Sequence, residues 1–130
     1  MSTTEAVRTP APPRWPRLVF RATTLVSAVL LFDQAVFAGQ FLSGGYDSLQ
    51  THRENATYAG ISVLVSAVAA VLVRRPGRGP WWPILGSLGL FGLIALQIAL
   101  GFARLITVHV PVGVATILLA ATMAVAAWRR

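Results

Sequence analysis

Four long apolar runs divide the chain, at about 18–42, 48–73, 83–105 and 109–128, each bounded by polar or helix-breaking residues. Each run is long enough to cross a hydrocarbon core of about 30 Å as an α-helix. Ser43-Gly44-Gly45 interrupts the first two, and the segment 74–80, with two Pro, two Gly and three Arg, separates the second from the third. Asp47, with Gln50 three residues on, reads as the N-cap of a helix opening near Ser48, and Pro111 as a first-turn residue of the fourth helix. Connections this short make successive helices antiparallel. The expected fold is therefore all-α, a four-transmembrane-helix antiparallel bundle over 18–130.

Composition agrees, with 55% of residues apolar and 12% charged. Charge then orients the bundle. The net charge is +7, from 11 arginines and no lysine. Arg8, Arg14, Arg17 and Arg21 precede the first run, Arg74, Arg75 and Arg78 lie between the second and third, and Arg129 and Arg130 end the chain. Only Arg53 and Arg104 belong to the other two connections. The positive-inside bias places both termini and the middle loop in the cytoplasm, as expected of a multi-pass protein of the cell (plasma) membrane. A nucleic-acid partner is not expected, because these arginines flank apolar runs instead of gathering on one solvated face. Residues 1–17, rich in proline (Pro10, Pro12, Pro13, Pro16), read as a disordered cytoplasmic tail. A cleavable signal is the poorer reading, since the first run is too long and has three partners like it. Trp81 and Trp82 fall at headgroup depth. The absence of cysteine excludes thiolate chemistry, iron–sulfur clusters and covalent haem attachment. Four spans leave no room for a separate catalytic domain, and a stand-alone enzyme is not expected.

Small residues at helical spacing mark the faces expected to pack inward: Gly89, Leu93, Gln97 and Gly101 on the third span, and His109, Gly113, Thr116, Ala120, Ala124 and Ala127 on the fourth. Plain helix packing explains such stripes without a ligand. A weak internal repeat accompanies them. Gln34 is followed by His52, and Gln97 by His109, with a small residue (Ala56 or Gly113) four positions after each histidine.

Both histidines open helices running inward from the outer face, so they share a depth. In a sequentially wound bundle, helices two and four are diagonal partners. Two imidazoles there can supply both axial ligands of a haem, with Ala56 and Gly113 leaving room for a flat ring. Solvated interfacial histidines are the plainer alternative. Arg53 and Arg104, beside the histidines in the sequence, are placed to pair with two propionates; ordinary pairing with Asp47 or Glu54 is the equal alternative. Asp33 and Gln34 are the deepest polar residues of span one. Asp33 pairs with Arg104, relays a proton, or holds helices together with Gln34 and Gln97 through interhelical hydrogen bonds, the last being the favoured reading.

At these residues the chain resembles one four-helix half of the haem A synthase family, whose ligating histidines likewise begin helices two and four near the outer face. The run Leu96-Gln97-Ile98-Ala99-Leu100-Gly101-Phe102-Ala103-Arg104-Leu105, followed by His109, carries most of the likeness, which extends by topology over about 26–121. A broader set of small bacterial four-helix membrane proteins shares the Gln-then-His layout. Haem A synthases have eight spans and a functional carboxylate three residues before the first ligand, a position held here by Leu49. The resemblance therefore implies a non-covalent b-type haem between His52 and His109, in the manner of a cytochrome b, and not hydroxylating chemistry.

Two functions follow. The first is a small membrane haem protein for electron transfer or haem handling, with His52 and His109 as metal ligands and Arg53, Arg104, Ala56, Gly113, Gln34 and Gln97 around the cofactor. The second is a cofactor-free structural or assembly subunit of a larger membrane complex, its arginine-rich edge meeting anionic lipid or a partner. A stand-alone transporter is weaker, since the spans offer one buried acid and no broken helix, although a homodimer would enlarge what four spans can enclose.

Overall fold

A computed structural model describes residues 13–77 and 79–129 of the chain. They form four helices, α1 (Trp15–Leu42), α2 (Ser48–Gly77), α3 (Trp82–Phe102) and α4 (Ile106–Arg129). All four are long and apolar enough to cross a membrane. Each helix packs on its chain neighbour and α4 closes on α1, so α1 and α3, like α2 and α4, are diagonal pairs. This is the expected four-helix bundle.

The helix ends depart from expectation for local reasons. α1 begins at Trp15, because Pro16 sits in its first turn, where a missing N–H costs nothing. Residues 15–17 of the expected tail are thus helical, while 1–12 lie outside the described residues. The opening amides of α2 are taken by the carbonyls of Gly45, Tyr46 and Asp47, and the Gln50 side chain reaches forward to Glu54 at 2.7 Å in place of the expected capping box. α3 stops at Phe102 and α4 starts at Ile106, which leaves Pro111 inside α4 instead of in its first turn.

Packing is built from small side chains. Ala59 and Val63 of α2 are fully buried, with Ser27 of α1, Ser87 of α3 and Thr116 and Ala120 of α4. Lipid supplies no hydrophobic drive for helix association, so close approach and interhelical hydrogen bonds hold such a bundle. The α1/α2 seam is the most extensive of the four. Across it the Ser62 hydroxyl lies 2.8 Å from Ser27 Oγ and 3.2 Å from the Thr23 carbonyl, and Asn55 Nδ2 donates to Leu30 O at 2.7 Å. The expected α4 stripe is buried at Thr116, Ala120, Ala124 and Ala127, joined by Met123. The expected α3 stripe is corrected: Gly89 is exposed, and the buried line runs through Pro83, Ser87, Leu90 and Ile94. Glycine marked only small size there, whereas Ser87 marks the face.

The two ends of the bundle differ in chemistry. At one end Arg21 Nε donates to Ala127 O at 2.9 Å, Phe20 meets Trp82 edge-on at 5.8 Å, and Arg74 lies over Trp81 at 3.9 Å. The start of α1, the end of α4 and the α2–α3 connection therefore share that end. The opposite end holds the two tight turns and both histidines.

Candidate functional site

The histidine layer is assembled by two similar hairpins. α1 and α3 both end in a turn where the chain reverses through one residue of left-handed backbone. In the first, Gly44 (φ +100°) follows the Ser43 cap, and Gly45 N–H bonds Gln40 O at 2.9 Å. In the second the same position is Arg104 (φ +58°), with Leu105 N–H on Leu100 O at 3.0 Å. These are Schellman closures, in which glycine is the usual residue because a Cβ is strained there. Each turn delivers the next helix so that its histidine meets the carbonyl of the glutamine on the preceding helix. His52 Nδ1 is 3.1 Å from Gln34 O, and His109 Nδ1 is 3.0 Å from Gln97 O.

A carbonyl oxygen only accepts, so each Nδ1 carries a proton, and in the neutral form of either ring the lone pair is on Nε2. This is the arrangement that orients a metal-ligating imidazole. The two rings, on diagonal helices, have centroids 6.2 Å apart and planes tilted by 58°. Two imidazoles bound in line to one metal at about 2 Å, with each ring centre about 1.2 Å behind its nitrogen, have centroids roughly 6 Å apart. Both residues are half-buried.

The polar surroundings separate one kind of metal site from another. Among the described residues no group of three or more His, Cys, Asp or Glu is placed to hold a metal ion. The pair can fill only two coordination positions, so a bare ion needing four protein ligands is not served. A metal carried in a macrocycle that brings its own equatorial nitrogens needs only two.

Both glutamine side chains are poorly satisfied. Gln34 Oε1 and Nε2 and Gln97 Oε1 are buried and lack hydrogen-bond partners. An unpaired amide away from water is costly, the more so within a membrane. The expected interhelical hydrogen bonds among Asp33, Gln34 and Gln97 are not formed among the described residues, and half-buried Asp33 makes none with Arg104. That tie is made instead by Asn55, one turn beyond His52 and 7% exposed, which sequence reasoning passed over. An asparagine three positions from a histidine inside an apolar run was the available signal.

The neighbours of the two histidines complete the layer. Gly113 does leave space, but Gln97 fills it: a Cβ at 113 would come 2.6 Å from Gln97 Nε2. Ala56 is half-buried. Gly101, on the other hand, stands directly against the imidazole, where a Cβ would lie 3.5 Å from His109 Cε1. Arg53 and Arg104 are exposed and form no ion pair with Asp47 or Glu54 among the described residues; Arg53 lies over the Phe102 ring at 6.0 Å and Glu54 takes Gln50. Both guanidiniums thus remain available for an anion at the histidine end.

Arg104 carries a cost that the sister turn avoids. Left-handed backbone costs a non-glycine residue roughly 1–2 kcal/mol. Arg104→Gly is expected to stabilise the cofactor-free protein by about 1 kcal/mol, read as a shift in its detergent unfolding midpoint. No gain in stability would mean that the turn tolerates arginine without strain.

No family model matches this chain, and no curated protein or solved structure is recognisably similar to it.

Proposed function

We propose that the chain is a small membrane haem protein, holding a non-covalent b-type haem between His52 and His109 for electron transfer or haem handling. The observation that carries the proposal is the imidazole pair itself: both Nδ1 atoms tied to glutamine carbonyls, and ring centroids 6.2 Å apart across the bundle. The resemblance to one half of the haem A synthase family points the same way.

Each residue's part follows from its position. Gln34 and Gln97 accept the Nδ1 protons through their backbone carbonyls, which leaves the Nε2 atoms as the ring nitrogens that would bind a metal. The Gln97 amide leaves the notch beside Gly113 by rotating about its own side-chain torsions, which costs little at the end of a flexible side chain. Gly101 faces the His109 ring, and a Cβ there would meet it at ordinary van der Waals distance, 3.5 Å from Cε1. Arg53 and Arg104, exposed at the same end of the bundle, would pair with the two carboxylates of a bound haem, since a guanidinium matches a carboxylate in two parallel hydrogen bonds. His52 and His109 would hold a bound haem, which would supply one-electron redox chemistry.

The positive-inside bias of the arginines supports an orientation with the histidine end toward the outer leaflet of the cell membrane and both termini in the cytoplasm. A cofactor-free assembly subunit is the competing reading, but it gives no reason for two tautomer-fixed imidazoles to meet.

The test is a haem titration of detergent-purified protein. It is expected to saturate at one haem per chain, with a Soret band and the sharp reduced-state bands of low-spin bis-histidine iron. A colourless protein after titration with excess haem would overturn the proposal.

A further inference from the structure

The opposite end of the bundle carries an unusual balance of charge. Arg14, Arg17, Arg75 and Arg129 are exposed there, and Arg21 and Arg74 are half-buried. No carboxylate accompanies them among the described residues, because Asp33, Asp47 and Glu54 all lie at or near the histidine layer. Six guanidiniums at one end therefore have no carboxylate counter-ion among the described residues. Two of them are fixed in place: Arg21 bonds the Ala127 carbonyl and lies 5.7 Å from the Trp128 ring, while Arg74 bonds the Gly79 carbonyl and stacks on Trp81 at 3.9 Å. Each bond uses part of a five-donor group and leaves N–H donors pointing elsewhere. Trp15, Trp81 and Trp128 are each more than half exposed at the same end, and exposed indoles settle at headgroup depth.

We infer that this end is a collar for anionic phospholipid headgroups, in which the exposed arginines bind the phosphodiesters and Arg21 and Arg74, anchored on the α1/α4 and α2/α3 sides, fix its geometry. Charge complementarity selects the occupant. A zwitterionic headgroup returns one positive charge for each phosphate and leaves the collar uncompensated, whereas a phosphatidylglycerol-type headgroup neutralises it. Guanidinium matches phosphate in a bidentate fork, and the indoles hold the ring of arginines at phosphate level. The collar is independent of the haem site and lies at the other end of the bundle.

The experiment loads the detergent-purified full chain with equal amounts of phosphatidylglycerol and phosphatidylcholine and reads retained lipid by native mass spectrometry. Wild type is expected to retain the anionic lipid in large excess. A surface arginine contributes roughly fivefold in anionic-lipid affinity, so the triple variant Arg17→Gln/Arg75→Gln/Arg129→Gln should lower the retention ratio by on the order of a hundredfold. Arg53→Gln, at the other end, should leave the ratio unchanged, and the corresponding triple lysine variant should keep most of it. A wild-type ratio near one, or a ratio unchanged in the triple glutamine variant, would overturn the inference. So would an arginine-dependent second copy of the chain appearing in the spectrum where lipid was expected. The haem titration reads none of these quantities, so each reading stands or fails by itself.

Discussion

His52→Ala and His109→Ala are each expected to yield a folded protein that no longer shows the bis-histidine haem spectrum. The imidazoles are half-buried and lie near one end of the bundle, away from the seam where Ser27, Ala59 and Val63 are packed. Losing either one removes a hydrogen bond to a glutamine carbonyl, 3.1 Å for His52 and 3.0 Å for His109, which costs about 1 kcal/mol. That is small against the rest of the fold, so helicity and detergent unfolding should be nearly unchanged. Coordination has no such reserve. If the two histidines hold a haem as proposed, the loss of either is expected to give a high-spin spectrum with a broadened Soret band, and haem that washes out on a desalting column. A single variant that kept the full low-spin spectrum would show that its histidine is not a ligand. Loss of colour accompanied by loss of helicity in both variants would mean that the rings serve only the fold.

The second large effect is expected at Ser27. Its side chain is 1% exposed, donates to Thr23 O at 2.8 Å and lies 2.8 Å from Ser62 Oγ. Leucine at this position adds volume to the most extensive seam of the bundle and removes the hydroxyl contact at once. Overpacking of this kind costs about 3 kcal/mol, and no gain in hydrophobic burial offsets it, because lipid is as apolar as the seam. Ser27→Ala, which keeps the close approach and loses only the hydroxyl, should cost about 1 kcal/mol. The measurement is the unfolding midpoint in a mixed-micelle denaturant titration, with helicity followed by circular dichroism. The seam also sets the site, since Gln34 lies two turns along α1 from Ser27 and must reach His52 across the same interface. Ser27→Leu is therefore expected to weaken haem retention without touching a ligand. Equal stability of the leucine and alanine variants would show that α1 and α2 pack less closely here than their burial implies.

Arg104 adds a trade-off to these expectations. Its glycine variant should gain stability as apoprotein, because Gly44 already occupies the equivalent left-handed position of the first hairpin without strain. A residue kept in a strained conformation is a pointer to function, and here the function offered is an anion at the rim of the histidine layer.

Much of this molecule follows from one-dimensional patterns. Length and apolar composition alone determined that there are four membrane-crossing helices, because a span is a property of consecutive residues and short connections leave successive helices antiparallel. The same patterns brought His52 and His109 to one depth and separated the arginine-rich end from the histidine end. Rotation of each helix about its axis was decided only in the tertiary structure. α3 turns Ser87 and not Gly89 inward, Gln97 fills the notch beside Gly113, and Asn55 makes the interhelical tie assigned to Asp33. The choice of faces in a membrane bundle depends on which side chains allow the closest backbone approach, a quantity that involves two helices at once. The Nδ1 bonds to Gln34 and Gln97, and the left-handed turn at Arg104, likewise exist only once two hairpins have closed on each other, and they turn two histidines at a shared depth into a candidate pair of ligands.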